Sequence, residues 1–154
     1  MRNYRDLQVW SKAYALTLEL YKLSREFPKD ELYGLTAQLR RSATSIGANL
    51  AEGCGRRGNS EMARFVKIAL GSASELDHHL LLSRDLGFLK TGDYERCAKE
   101  LTSRRKMLAA FLGAIEDELA LKAKSAARGS VVLPEWPRAK LRNAKLLFSV
   151  QLKG

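Results

Sequence analysis

From Asp6 to Lys124 apolar residues recur at three- and four-residue intervals, the spacing that returns side chains to one face of an α-helix. Four segments separate by what stops them. The first, Asp6 to Glu26, sets Trp10, Ala13, Leu16, Leu20, Leu23 and Phe27 on one stripe and ends before Pro28. The second starts near Asp30, a residue type that caps helices, and runs to the GCGRRGN stretch at Gly53 to Asn59, whose glycines end it and turn the chain. The third opens at Asn59 or Ser60, carries Met62, Phe65, Ile68, Ala69, Leu76 and Leu80 on one side, and closes at Gly87. The fourth follows a Thr91 cap to about Lys124, with Tyr94, Cys97, Leu101, Leu108, Leu112, Ile115 and Leu119 as its stripe. Helices of similar length, roughly 35 to 45 Å at 1.5 Å per residue, joined by short links, predict an all-α fold. The expected architecture is an antiparallel up-down-up-down four-helix bundle over residues 1–124. Residues 125–154 read as a basic C-terminal extension: Gly129, Ser130, Pro134 and Pro137 break helices, and Phe148, Val150 and Leu152 alternate as in a short strand.

The second helix has more than one face to bury. Leu35, Leu39, Ala43, Ile46 and Leu50 form its core stripe, while Ala37, Thr44, Ala48 and Ala51 cluster on roughly the opposite side. Between them Gln38, Ser42, Ser45, Asn49 and Glu52 stack into a narrow polar lane, read as a structural network that satisfies itself between helices. A lone bundle has no need of the small-residue side. Small side chains let backbones approach closely, so Ala37, Thr44, Ala48 and Ala51 are expected to meet another subunit.

Charge changes the picture next. The chain carries +10 overall, but residues 1–123 hold 20 Lys and Arg against 16 Asp and Glu, whereas residues 124–154 hold 7 against 1. Basic surface gains free energy by displacing counterions from phosphates, which favours a polyanionic partner. The candidate contacts are Arg40 and Arg41, Arg56 and Arg57, Arg64 and Lys67, Arg104 to Lys106, and in the extension Arg138, Lys140, Arg142 and Lys145. Three of the four clusters before the extension favour arginine, which suits bidentate phosphate contact. Arg105 falls between Leu101 and Leu108 and requires a carboxylate, Glu52 or Glu75, or an opening to water. Identical subunits in a closed ring would repeat each modest cluster and multiply its affinity.

Catalytic chemistry finds little support. A carboxylate-bridged metal pair needs Glu-x-x-His on two helices, and only Glu75 to His78 supplies it; His79 reads as a hydrogen-bonded core residue. Cys54 lies beside Arg56 and Arg57 with no histidine near it in sequence, and the glycines of Gly53 to Gly58 lack phosphate-loop spacing and a preceding strand. No catalytic residue, metal or cofactor is assigned, and no small-molecule substrate. Cys54 and Cys97 read as reduced thiols of a cytoplasmic protein, and no apolar run approaches membrane-spanning length.

Three stretches carry a family resemblance: YRDLQVWSKAY from Tyr4, FPKDELYGLTAQLRRSATSIGANLAEG from Phe27, and FVKIALGSASELDHHLLLSRDLGFL from Phe65. Together, from about Tyr4 to Leu119, they resemble the 23S rRNA-intervening-sequence proteins, and the run from Phe27 to Gly53 is the most specific part. The pattern falls on Trp10, Glu31, Tyr33, Leu35, Gln38, Arg40, Arg41, Ser45, Ile46, Asn49, Glu52 and Gly53. The resemblance implies a bacterial cytoplasmic protein, a four-helix bundle assembled as a homopentameric barrel, and no catalytic activity. It is similar also to the accessory variability determinant proteins of diversity-generating retroelements, which implies RNA and a reverse transcriptase as partners. The expected function is therefore a non-enzymatic, oligomeric RNA-binding adaptor; the alternative is a protein-interaction scaffold with no nucleic-acid role.

Overall fold

In the computed structural model, which describes residues 2–129, every regular element is helical. The helices are α1 (Gln8–Leu23), α2 (Leu35–Gly55), α3 (Asn59–Asp85) and α4 (Thr91–Ala127), with single 3-10 turns at Tyr4–Asp6, Ser24–Glu26 and Lys29–Glu31. The extension's basic residues Arg138, Lys140, Arg142 and Lys145, and its strand-like alternation, lie outside the described residues.

Local chemistry explains where each helix begins and ends. Asp30 does not cap α2. It sits in the Lys29–Glu31 turn, and Gly34, at φ −100° and ψ −117°, holds the chain out of the helical region until Leu35. The Glu31 carboxylate then accepts the Leu35 N–H at 2.8 Å. The α3 terminus is a Schellman closure: Phe88 N–H reaches Ser83 C=O and Gly87 N–H reaches Arg84 C=O, both at 2.9 Å. That turn requires the left-handed backbone at Gly87, φ 77°. Neither Asn59, Ser60 nor Thr91 caps with its side chain; Gly58 and Lys90 occupy the positions before α3 and α4.

Side-chain pairings fix the register. Trp10 lies against Gly47, the Thr17 hydroxyl donates to Ala43 C=O, and Arg40 Nε donates to Ser24 Oγ, so numbers rise along α1 as they fall along α2. The same opposite sense appears across α2 and α3 (Gly53 beside Met62, Ser45 with Ser72), across α3 and α4 (Lys67 with Glu116, Asp77 with Arg105), and across α1 and α4 (Glu19 with Arg96, Lys12 C=O with Arg104). Leu20, Leu39, Ile46, Leu50, Leu76, Leu80, Leu101 and Leu108 form the sealed centre. All five leaders of the α2 stripe are buried with them.

Two further sequence expectations differ from the structure, the similar helix lengths and the inward place of Ile68. The helices are unequal, 16 residues in α1 against 37 in α4, because Pro28 and Gly34 shorten the first hairpin while nothing interrupts α4 before Gly129. α4 ends at Ala127, close to the expected Lys124, with every residue from 120 to 129 exposed. Ile68 is 41% exposed: Phe65 and Ala69 take the inward positions of that turn, and Ile68 falls outside them.

Candidate nucleic-acid interface

The arginines distribute over both ends and the waist of the bundle. At the end formed by the α2–α3 turn stand Arg2, Arg56, Arg57 and Arg64. Gly53 makes this end possible. A Cβ there would lie 2.8 Å from Met62 Sδ and 3.0 Å from Phe65 Cβ, so only glycine lets α2 and α3 approach this closely. The Phe65 ring, nearly sealed beneath, collects two guanidinium groups, Arg64 at 5.4 Å and Arg56 at 5.8 Å from its centroid. Arg2, Arg56 and Arg57 surround a cleft of about 470 Å³ whose floor includes Gly53, Cys54 and Met62.

Most of these charges are already engaged. Arg56 pairs with Glu52 at 2.6 Å, Arg64 with Glu61 at 3.5 Å, and Lys67 with Glu116 at 2.8 Å. Hydrogen bonding and charge from Glu52 hold the Arg56 guanidinium protonated even more firmly than usual. Glu118 is held below the usual carboxylate range by its bond to Lys122, helped by the Asn59 side chain. Arg57 has no hydrogen bond or ion pair among the described residues.

At the opposite end Arg40 lies over the Tyr21 ring at 4.8 Å while bonding Ser24, and Arg41 hydrogen-bonds Gln38. At the waist Arg105 takes the opening to water rather than Glu52 or Glu75. Arg104, not Arg105, is the buried member of the pair, 8% exposed. Its guanidinium pairs with Glu100 and donates to the Glu100 and Lys12 carbonyls. Arg105 points outward toward Asp77 at 3.7 Å, and meets neither Glu52 nor Glu75. Arg104 is thereby structural, and Lys106 remains exposed.

On α2 the outer side is open: Ala37, Thr44 and Ala48 are exposed and Ala51 is half-buried. The polar lane next to it is largely tied to the chain. Ser45 and Ser72 hydroxyls bond at 2.8 Å across α2 and α3, Asn49 donates to Ser45 Oγ and C=O, Ser42 donates to Leu39 C=O, and Glu52 turns to Arg56. The sequence reading missed the flank of this face on α1. Tyr14, Leu18 and Tyr21 are exposed, and Trp10 stacks on Tyr14 with centroids 5.1 Å apart. Their signal was available, since positions 14, 18 and 21 repeat at helical spacing off the core stripe. Leu82 on α3 and Leu86 just after it are likewise uncovered.

Both thiols are buried. Burial pushes Cys54 up from the ordinary thiol value and Cys97 to about 11, which keeps both protonated and poorly nucleophilic. His79 Nε2 lies 3.3 Å from Glu75, and among the described residues no three His, Cys, Asp or Glu gather as metal ligands. No helix among these residues is long and apolar enough to cross a membrane.

Residues 5–110 match the family model described as 23S rRNA-intervening sequence protein. A solved structure from Bacteroides thetaiotaomicron, a protein of unknown function from the S23 ribosomal protein family, is similar in fold at TM-score 0.63. It is 24% identical, with 68% of this chain and 97% of that one aligned. No curated protein matches the sequence.

Proposed function

The chain belongs to the 23S rRNA-intervening sequence protein family, and from that premise we propose that it is a non-enzymatic, oligomeric RNA-binding adaptor of the bacterial cytoplasm. The observation that carries this reading is the uncovered outer side of α2, Ala37, Thr44 and Ala48, edged by Arg41 and Arg40. The small-residue side closes subunits into a ring, taken as a pentameric barrel, with the helices up-down-up-down in each subunit. Around that ring Arg40, Arg41, Arg56, Arg57, Arg64, Lys67, Arg105 and Lys106 recur once per subunit. Individually weak phosphate contacts then act together, so affinity rises through effective concentration rather than through any single strong site. The extension's Arg138, Lys140, Arg142 and Lys145 add charge. The ribonucleoprotein served is that of a retroelement reverse transcriptase of the diversity-generating kind, or a related RNA-associated scaffold.

Titration of the full chain with a structured RNA at 50 and 200 mM salt tests the reading. The expected result is micromolar or tighter binding that weakens steeply with salt; binding indifferent to salt, or absent at micromolar protein, overturns it.

One observation favours a second reading, a protein-interaction scaffold without a nucleic-acid role: Arg56, Arg64, Lys67, Arg104 and Arg105 all face carboxylates of their own chain. Under that reading the apolar flank Tyr14, Leu18 and Tyr21 is the contact surface, and nuclease treatment leaves captured partners unchanged.

A further inference from the structure

The cleft at the α2–α3 turn is lined by three arginines. Its wall contains Arg2, Arg56 and Arg57 and no carboxylate residue, and its floor is sealed by the Met62 and Cys54 side chains. Glu52 holds Arg56 from outside that wall, leaving Arg57 without an ion pair among the described residues. Arg2 lies close enough for its charge to act on both the Cys54 thiol and the Glu118 carboxylate, so it is shared between the cleft and that acid. Gly55 and Gly58 keep the rim open: a Cβ at either would meet nothing within 4 Å. At Gly58 the left-handed backbone, φ 90°, further demands glycine, whereas Gly55 is helical and leaves only empty space.

From this geometry we propose that the cleft holds a nucleoside phosphate, with Arg57 on the phosphate oxygens, Arg2 and Arg56 adding positive charge to the wall, and the Met62 and Cys54 side under the nucleoside. The class follows from two quantities. Guanidinium groups around a carboxylate-free wall select an oxyanion that accepts several forked hydrogen bonds, as phosphate does. A volume of about 470 Å³ is far more than a lone phosphate fills and lies in the ordinary range of small-ligand sites. The phosphorylated end of an RNA strand and a free nucleotide share this chemistry. The inference rests on the RNA reading for its ligand class and gives that reading a built site.

Calorimetric titration of the full chain with adenosine 5′-monophosphate, adenosine, and a short RNA bearing either a 5′-phosphate or a 5′-hydroxyl tests it. The monophosphate is expected to bind and adenosine not. Arg57→Gln is expected to weaken the monophosphate by about tenfold or more, the loss of a charge-assisted pair. Gly55→Glu sets a carboxylate in the open space and abolishes binding, while Gly55→Ala folds and binds as before. Preference for the 5′-phosphorylated RNA over both its 5′-hydroxyl form and the free monophosphate assigns the strand end; equal affinity of the two phosphates assigns the free nucleotide. Equal binding of adenosine and its monophosphate, or folded Arg57→Gln and Gly55→Glu that bind as the parent does, overturns the proposal. Salt-sensitive binding of structured RNA that survives Gly55→Glu, with no monophosphate bound, removes the cleft and leaves the RNA reading standing. Monophosphate binding without any affinity for structured RNA does the reverse.

Discussion

Gly53 and Gly55 sit two residues apart and face opposite demands. At Gly53 an added methyl strikes Phe65 Cβ, an atom fixed to its backbone, so Gly53→Ala is expected to cost about 1–3 kcal/mol by overpacking in chemical denaturation. At Gly55 the same methyl meets open space, and alanine is expected to be neutral or to stabilise by about 0.5–1 kcal/mol. Arg104 and Arg105 form a second such pair. Arg104→Ala strips buried contacts and the donors that serve two carbonyls, for an expected loss of about 2 kcal/mol, whereas Arg105→Ala removes one long exposed pair and stays within about 0.5 kcal/mol. The sequence could not separate these neighbours. Positions three and four after Leu101 both fall near its stripe, and only the approach of α1, bringing the Lys12 carbonyl into reach, selects Arg104. Cys97 adds a pH dependence. Its folded thiol titrates at about 11 against 9.0 for the ordinary group, so the folded state holds the proton more tightly. The Cys97 contribution is therefore full below pH 9 and is lost as pH rises from about 9 to about 11; alkaline denaturation of Cys97→Ala is expected to show a shallower loss of stability over that range, with the Cys54 part remaining.

Among the elements, α2 was the most legible, because a strict stripe of five apolar positions admits one inward orientation. Its start was not, since Asp30 has the right chemistry for a cap but Gly34 follows four residues later and resets the backbone. Glu31 takes over the capping role, and Glu31→Ala is expected to lower stability by about 1 kcal/mol. Helix lengths were also hidden, because α4 continues on propensity alone after its core stripe ends, with nothing in Ala120 to Ala127 to stop it. The outer side of α2 supplies an element-scale test of assembly. Ala48→Glu puts a charge on an exposed helix position, so the single subunit keeps its stability to within about 0.5 kcal/mol. A closed interface built on small residues does not tolerate the same carboxylate, and sedimentation of Ala48→Glu is expected to show smaller particles than the parent.

For the whole molecule, the class of fold was readable from periodicity and the family from three stretches of sequence, while the candidate interface was readable only as a set of basic positions. Arg56 and Arg64 take local partners, Glu52 four residues and Glu61 three residues before them, whereas Lys67 pairs with Glu116 only because α4 adjoins α3, so the extent of neutralisation depends on both spacing and packing. Single-subunit charge is thus a poor guide to phosphate affinity, which in the proposed ring comes from repetition of the clusters. Deleting residues 130–154 removes five Lys and Arg against one Glu, and is expected to weaken RNA binding and flatten its salt dependence without altering the bundle's melting. The most direct test is the mass of the particle by light scattering at working concentration. A value near five times the 17.2 kDa chain is the expected result, and a particle of 17.2 kDa contradicts the ring and the shared phosphate surface that depends on it.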